Sequence, residues 1–173
     1  MTREGMDTGL LESQRARERM LHLEKTPLFY CDWLSALFIL FEIDRRVLQP
    51  FVPYELDCRE GRAYVSLVAF SMQKRRPVYG GRLGAWMCAP IARHPFLNVR
   101  TYVEHDNEPG IFFLTEWLPN AVSVLLGPPV FGLPYRYGHL NFLHDAETGT
   151  IGDTVEAGDS ATHLTYHGVI DTK

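Results

Sequence analysis

Leu97-Asn98-Val99-Arg100-Thr101-Tyr102-Val103-Glu104, a polar break at residues 105–110, and Ile111-Phe112-Phe113-Leu114-Thr115-Glu116-Trp117-Leu118 together decide the fold class. In the first half Val99, Thr101 and Val103 alternate with Asn98, Arg100, Tyr102 and Glu104, the period-2 pattern of a strand with one polar face. The second half is apolar on both faces except at Thr115 and Glu116, as expected of a strand inside a barrel or under a covering layer. Joined by the polar turn, the two strands form an antiparallel hairpin. With even positions facing even positions, Arg100 lies opposite or diagonal to Glu116, within pairing reach.

Upstream, Ala63-Tyr64-Val65-Ser66-Leu67-Val68-Ala69-Phe70 reads as a strand running up to a basic, solvated loop at Lys74-Arg75-Arg76-Pro77. It follows a turn signal at Cys58-Arg59-Glu60-Gly61. Residues 34–41 read as a buried strand or short helix, and Asp44 as the N-cap of a helical turn over 45–49 that Pro50 stops. Residues 79–84 are expected to be loop. Downstream, strands are expected at 121–126 and 137–143, separated by Gly127-Pro128-Pro129, and an alternating stretch follows at 162–169. Residues 10–25 favour a helix with a thin apolar stripe, ended at Thr26-Pro27 because a residue before proline is pushed out of helical geometry. The expected organisation is a helical arm over 1–26 and a single mainly β (α+β) domain over 27–173.

Composition narrows the function. A chain of 173 residues and 19.8 kDa folds to an accessible surface of about 8,600 Å² from about 28,700 Å², enough burial for one real core. The formal charge of −4 repels phosphate backbones and anionic lipid surfaces, so no nucleic-acid partner is expected. The longest apolar run covers residues 33–41, far short of the roughly 20 needed to span a bilayer. No secretory signal is read in the charged N-terminus. Cys31, Cys58 and Cys88 are an odd, widely spaced set, which fits a reducing cytoplasm better than a disulfide framework or a zinc site.

Glu116 is the most informative single residue. A carboxylate within so apolar a run must be paired or have a raised pKa. Its readings are a structural salt bridge with Arg100, an anion or carbonyl site, or a solvated strand edge. Phe131-Gly132-Leu133-Pro134-Tyr135-Arg136-Tyr137 bends the chain and aims two hydroxyls and a guanidinium from a fixed point; its bland reading is a turn with tyrosines at its rim. His163 and His167, four apart on a strand, have Cα atoms roughly 13 Å apart and do not share one ion. No metal and no cofactor are expected. The serine-hydrolase elbow, the P-loop and the full dinucleotide fingerprint are absent, since Gly80-Gly81-Arg82-Leu83-Gly84 lacks a strand before it and a helix after it in this reading.

The blocks at 63–70 and 97–103, then Pro109-Gly110-Ile111-Phe112-Phe113-Leu114, then Leu133-Pro134-Tyr135, resemble in order and spacing the YqjF-like family of uncharacterised conserved proteins. The likeness covers residues 30–143. That family is in turn similar to acetoacetate decarboxylase, which implies a mixed, antiparallel-rich, cone-like β-barrel with an internal cavity. In acetoacetate decarboxylase a glycine, an aromatic or apolar residue and a proline precede two lysines, the first of which forms the Schiff base. Gly132-Leu133-Pro134 matches, but Tyr135 and Arg136 follow, and no lysine lies between Lys74 and Lys173, so imine chemistry has no nucleophile here. An acidic residue often precedes the 97–103 block where Phe96 stands, and a His-Trp pair is common where Leu40-Phe41 stands.

The resemblance implies a barrel cavity holding a small organic acid or carbonyl compound. Arg100 and Arg136 would clamp a carboxylate, Glu116 would orient Arg100 or move a proton, and Tyr102 and Tyr135 would donate hydrogen bonds. As an enzyme it would be lyase-like on a small keto acid, without a Schiff-base lysine. The competing reading is a non-catalytic interaction or structural module in which Arg100 and Glu116 only satisfy each other. Family members continue through further strands, so an uncovered sheet edge is expected, closed by a homodimer.

Overall fold

Both halves of the deciding stretch are strands in the computed structural model, which describes residue 15 and residues 27–145, 147–157 and 163–170. The elements run β1 (Phe29–Ile43), α1 (Arg45–Leu48), β2 (Glu55–Leu56), β3 (Ala63–Pro77), α2 (Gly81–Met87), β4 (His94–His105), β5 (Glu108–Leu118), α3 (Ala121–Phe131), β6 (Tyr135–His144), β7 (Thr150–Ala157) and β8 (His163–Val169). The expected N-terminal helix lies outside the described residues apart from residue 15.

One sheet path runs β1-β3-β4-β5-β6-β7-β8, with β2 added to β4. Neighbours are antiparallel except β5 and β6, which are parallel and joined by α3, the crossover that parallel pairing demands. The sheet is strongly curled, a mixed half-barrel. The curl brings β6 against β1, where a ring nitrogen of His144 lies 2.8 Å from the carbonyl oxygen of Ser35 in a bulge of β1.

Strand alternation sorts the side chains into two faces. On one, Ala69 and Leu97 bury with Val155 against Leu67, Trp117, Leu140, Phe142, Leu164 and Tyr166, so side chains of β6–β8 pack onto it. On the other, Val68, Phe70, Met72, Phe96 and Leu118 pack with Val124 of α3 and Tyr135. Leu48, Val52 and Leu56 form a third cluster with Ala63 and Val103.

Several sequence expectations change. Residues 121–126 are helix, because the Asn120 side chain accepts from the Ser123 amide and caps the first turn; Gly132 at φ 67° closes α3. Residues 81–84 open α2 instead of forming a loop, with β3 before it, yet β3 and β4 are antiparallel, which is no dinucleotide unit. Lys74 to Pro77 continue β3 rather than forming a solvated loop, and the Arg75 guanidinium sits over the Phe29 and Phe131 rings at 4.7 and 5.5 Å. Residues 34–41 are a strand, but not a buried one: Leu34, Phe38, Leu40 and Phe41 are between 43% and 56% exposed. The Asp44 cap is as expected, accepting from the Arg46 amide at 2.8 Å. Among the described residues no helix is long and apolar enough to cross a membrane.

Candidate functional site

Register, more than proximity in sequence, assembles the site. Ser66, Val68, Phe70 and Met72 of β3 stand opposite Arg100, Asn98, Phe96 and His94 of β4, and Asn98 stands opposite Glu116 of β5. A bulge between Val99 and Arg100 then puts Arg100 opposite Phe113, so Arg100 and Glu116 are diagonal neighbours on the face that α3 partly covers. They are not the closed ion pair that was one reading of the sequence. The Arg100 Nε donates to the Ser66 hydroxyl at 3.2 Å and its guanidinium lies 5.4 Å from the Phe38 ring centroid.

Glu116 is 4% exposed, and its Oε2 has no hydrogen-bond partner. Burial pushes its pKa up to about 8, with the charge of Arg100 offsetting part of the rise. It is therefore a carboxylic acid at neutral pH, able to donate as well as accept. Beside it, Asn98 Oδ1 is likewise buried without a partner, and His94, four residues back along β4 and 4.6 Å from the Phe96 ring, is buried on the same face. Burial, then the charge of Arg75, lowers the His94 pKa to about 4, so its ring is neutral.

Tyr135 is paired with Glu116 across the parallel β5–β6 ladder. Its ring rests on α3 at Gly127, where a Cβ would overlap it. Burial, then the nearby Glu116, raises the Tyr135 pKa, while a hydrogen bond with Arg75 counters them. Tyr102 lies one pleat beyond Arg100 and lines an open cleft of about 550 Å³ with Leu40, Asp57, Arg59, Glu60 and Tyr64. Arg100 thus stands between an open, polar cleft and a buried acid.

Arg136 is not brought to this group. It pairs with Trp117 and sits over that ring at 5.8 Å. Consecutive strand residues point to opposite faces, so Arg136 leaves the sheet on the side away from Glu116, and the expected two-arginine clamp is not assembled. Arg100 and Glu116 lie on the face opposite the cluster of Ala69, Leu97 and Val155. Sequence reasoning missed Asn98, His94 and Arg75. Asn98 reads as part of the polar face of an alternating strand, His94 lies before the stretch read as that strand, and Arg75 reads as part of a solvated charge run.

A model of the DUF2071 family, described as an uncharacterised conserved protein, matches residues 30–172. The chain belongs to that family. A curated relative from Bacillus subtilis (strain 168), the uncharacterised protein YqjF, is 33% identical over 111 residues, covering 62% of this chain and 43% of the relative. Among solved structures, acetoacetate decarboxylase from Legionella pneumophila superposes with a TM-score of 0.64 at 13% identity, covering 86% of this chain and 52% of its own. The enduracididine biosynthesis enzyme MppR complexed with pyruvate superposes with a TM-score of 0.61 at 14% identity, over 86% of this chain and 59% of its own. These likenesses establish an acetoacetate decarboxylase-like fold. The chain spans less than half the length of the YqjF relative and little more than half of those structures.

Proposed function

We propose that this DUF2071 chain binds a small organic acid or carbonyl compound on the α3-covered face of β3–β5. The observation that carries the reading is Glu116, a buried neutral acid with an unpartnered oxygen, diagonal to Arg100, which stands one pleat along β4 from Tyr102 of the open cleft. Arg100 takes a carboxylate, Tyr102 donates from the cleft wall, and Glu116 supplies or accepts the proton that a polarised carbonyl needs. Tyr135 and Asn98 hold the inner end polar. The fold neighbour solved with pyruvate is in keeping with such a ligand. Any lyase-like turnover of a keto acid runs without a Schiff-base lysine, because Tyr135 and Arg136 occupy the positions following Gly132-Leu133-Pro134. Thermal-shift titration with pyruvate, acetoacetate and acetate tests the reading. Ligand at 100 times its dissociation constant adds about 2.7 kcal/mol of stability, and Arg100→Met abolishes the shift. An absence of shift with all three acids, or a full shift in Arg100→Met, overturns it.

We also propose that the chain pairs with a second copy through β1. Its outer edge joins no strand among the described residues and carries exposed Trp33, Leu34, Phe38 and Phe41. Antiparallel β1–β1 pairing is self-complementary about a two-fold axis. A sedimentation mass of one chain across micromolar concentrations refutes it.

A further inference from the structure

The cleft at the rim of the α3-covered face carries more charge than a carboxylate site needs. Asp57, Arg59 and Glu60 line it together with Leu40, Tyr64 and Tyr102. Four ion pairs form nearby or on the same sheet, Arg45 with Glu55, Arg46 with Asp44, Arg62 with Glu42 and Lys74 with Asp32. The three charged residues of the cleft form no ion pair among the described residues, although Arg59 and Glu60 are adjacent in sequence.

Local backbone explains why they stay apart. Arg59 and Arg62 exchange backbone hydrogen bonds of 3.0 and 3.0 Å, with Glu60 at φ 53° and Gly61 at φ 79°, the left-handed pair of a tight two-residue hairpin turn. Asp57 is fixed by its amide, which donates to the Tyr102 carbonyl at 3.1 Å. Acids and guanidinium are therefore held by backbone around an open volume and not by one another. The cleft lining thus holds two acids and one guanidinium, and Arg100 lies one pleat deeper on the same face, beyond the lining itself.

A plain carboxylate entering this cleft meets Asp57 and Glu60 as like charges, and a plain amine meets Arg59 and Arg100. A molecule that is neutral overall and charged at both ends satisfies each group with its opposite. We propose that the ligand of this cleft is a zwitterion, an amine-bearing carboxylate of the free amino-acid class. Its carboxylate lies toward Arg100 and Tyr102, its ammonium toward Asp57 and Glu60, and its apolar part lies on Leu40. The assignment rests on the binding reading above and narrows it from organic acids in general to those that also carry an ammonium.

Isothermal titration of the full chain with three matched probes tests it: L-leucine, 4-methylpentanoate, which lacks the ammonium, and 3-methylbutylamine, which lacks the carboxylate. Leucine is expected to bind at least tenfold more tightly than either. The double variant Asp57→Asn, Glu60→Gln changes two exposed side chains and is expected to make leucine and 4-methylpentanoate bind alike. Arg100→Met is expected to weaken both acids together. Equal binding of leucine and 4-methylpentanoate by the wild-type chain overturns the zwitterion assignment and leaves the organic-acid reading standing. Binding of the amine as tightly as leucine overturns the assignment in favour of a cation site. Failure of both acids here, together with no shift from pyruvate or acetoacetate, overturns both readings.

Discussion

Glu116 keeps its proton because its environment offers the ionised form too little. Burial raises its pKa from 4.5 to about 8 and Arg100, diagonal to it, only moderates the rise. In the unfolded chain the same group titrates near its ordinary value, so between pH 4.5 and 8 the folded state binds the extra proton. Stability from this group is accordingly full below pH 4.5, declines by at most roughly 1.4 kcal/mol per pH unit as pH rises through about 8, and levels off once both states are ionised. Glu116→Gln keeps the shape and removes the titration. Its melting temperature is expected to overtake that of the wild type at pH 8 to 9, and a wild-type curve as flat as the variant's over pH 5 to 8 contradicts this. His94 acts with the opposite sign: its lowered pKa withdraws stability as pH falls from 6.5 toward 4, which the Glu116→Gln variant exposes without the masking contribution of the acid. Glu116 was legible in the sequence because a carboxylate among Phe112, Phe113, Leu114, Trp117 and Leu118 has no cheap place to go. Asn98 was not, because a polar residue on an alternating strand looks solvated until another element covers that face, and His94 lay outside any strand read from the sequence.

Among elements, α3 was hidden and then proved central. Its sequence, Ala-Val-Ser-Val-Leu-Leu-Gly-Pro-Pro-Val-Phe, has apolar residues all round, so no period separates helix from strand. The deciding signal was small, an Asn120 side chain able to cap the Ser123 amide. Gly127 has a tertiary reason: it is the site on α3 where the Tyr135 ring lies against the helix backbone. Gly127→Ala improves helix propensity by about 1 kcal/mol yet forces the ring from its seat, an overpacking cost of about 1–3 kcal/mol. The expected net result is a lower melting temperature and altered Tyr135 fluorescence, and a stabilised variant with unchanged fluorescence contradicts it. β7 escaped notice for a related reason, since Asp153 occupies a position whose neighbour Val155 faces the packed interior, and a carboxylate there breaks the apolar alternation.

At the scale of the molecule, one contact closes the curl. Asp153 has a fully buried side chain and holds His144 at 2.9 Å, while the other ring nitrogen of His144 meets the Ser35 carbonyl oxygen at 2.8 Å. Both partners are acceptors, so the ring donates to both only when it carries two protons. The Leu143 amide donates to the second oxygen of Asp153 at 3.2 Å. His144→Phe removes both bonds and strands a buried carboxylate, at a cost of roughly 3 kcal/mol, read as a lower urea midpoint at unchanged slope; a midpoint within error of the wild type contradicts the closure. What the chain determined by itself was local: one alternating strand and one apolar on both faces, a polar turn, the Asp44 cap, and an acid placed where burial would protonate it. Periodicity and capping act over a few residues, so they survive in a one-dimensional reading. Tertiary structure decided which face α3 covers, that Arg136 leaves on the other side, that β6–β8 pack onto Ala69 and Leu97, and that His144 meets Ser35 across 109 residues. Those outcomes depend on register, on a single bulge at Arg100 and on which elements lie over which face, and a chain expresses these only once its distant segments have met.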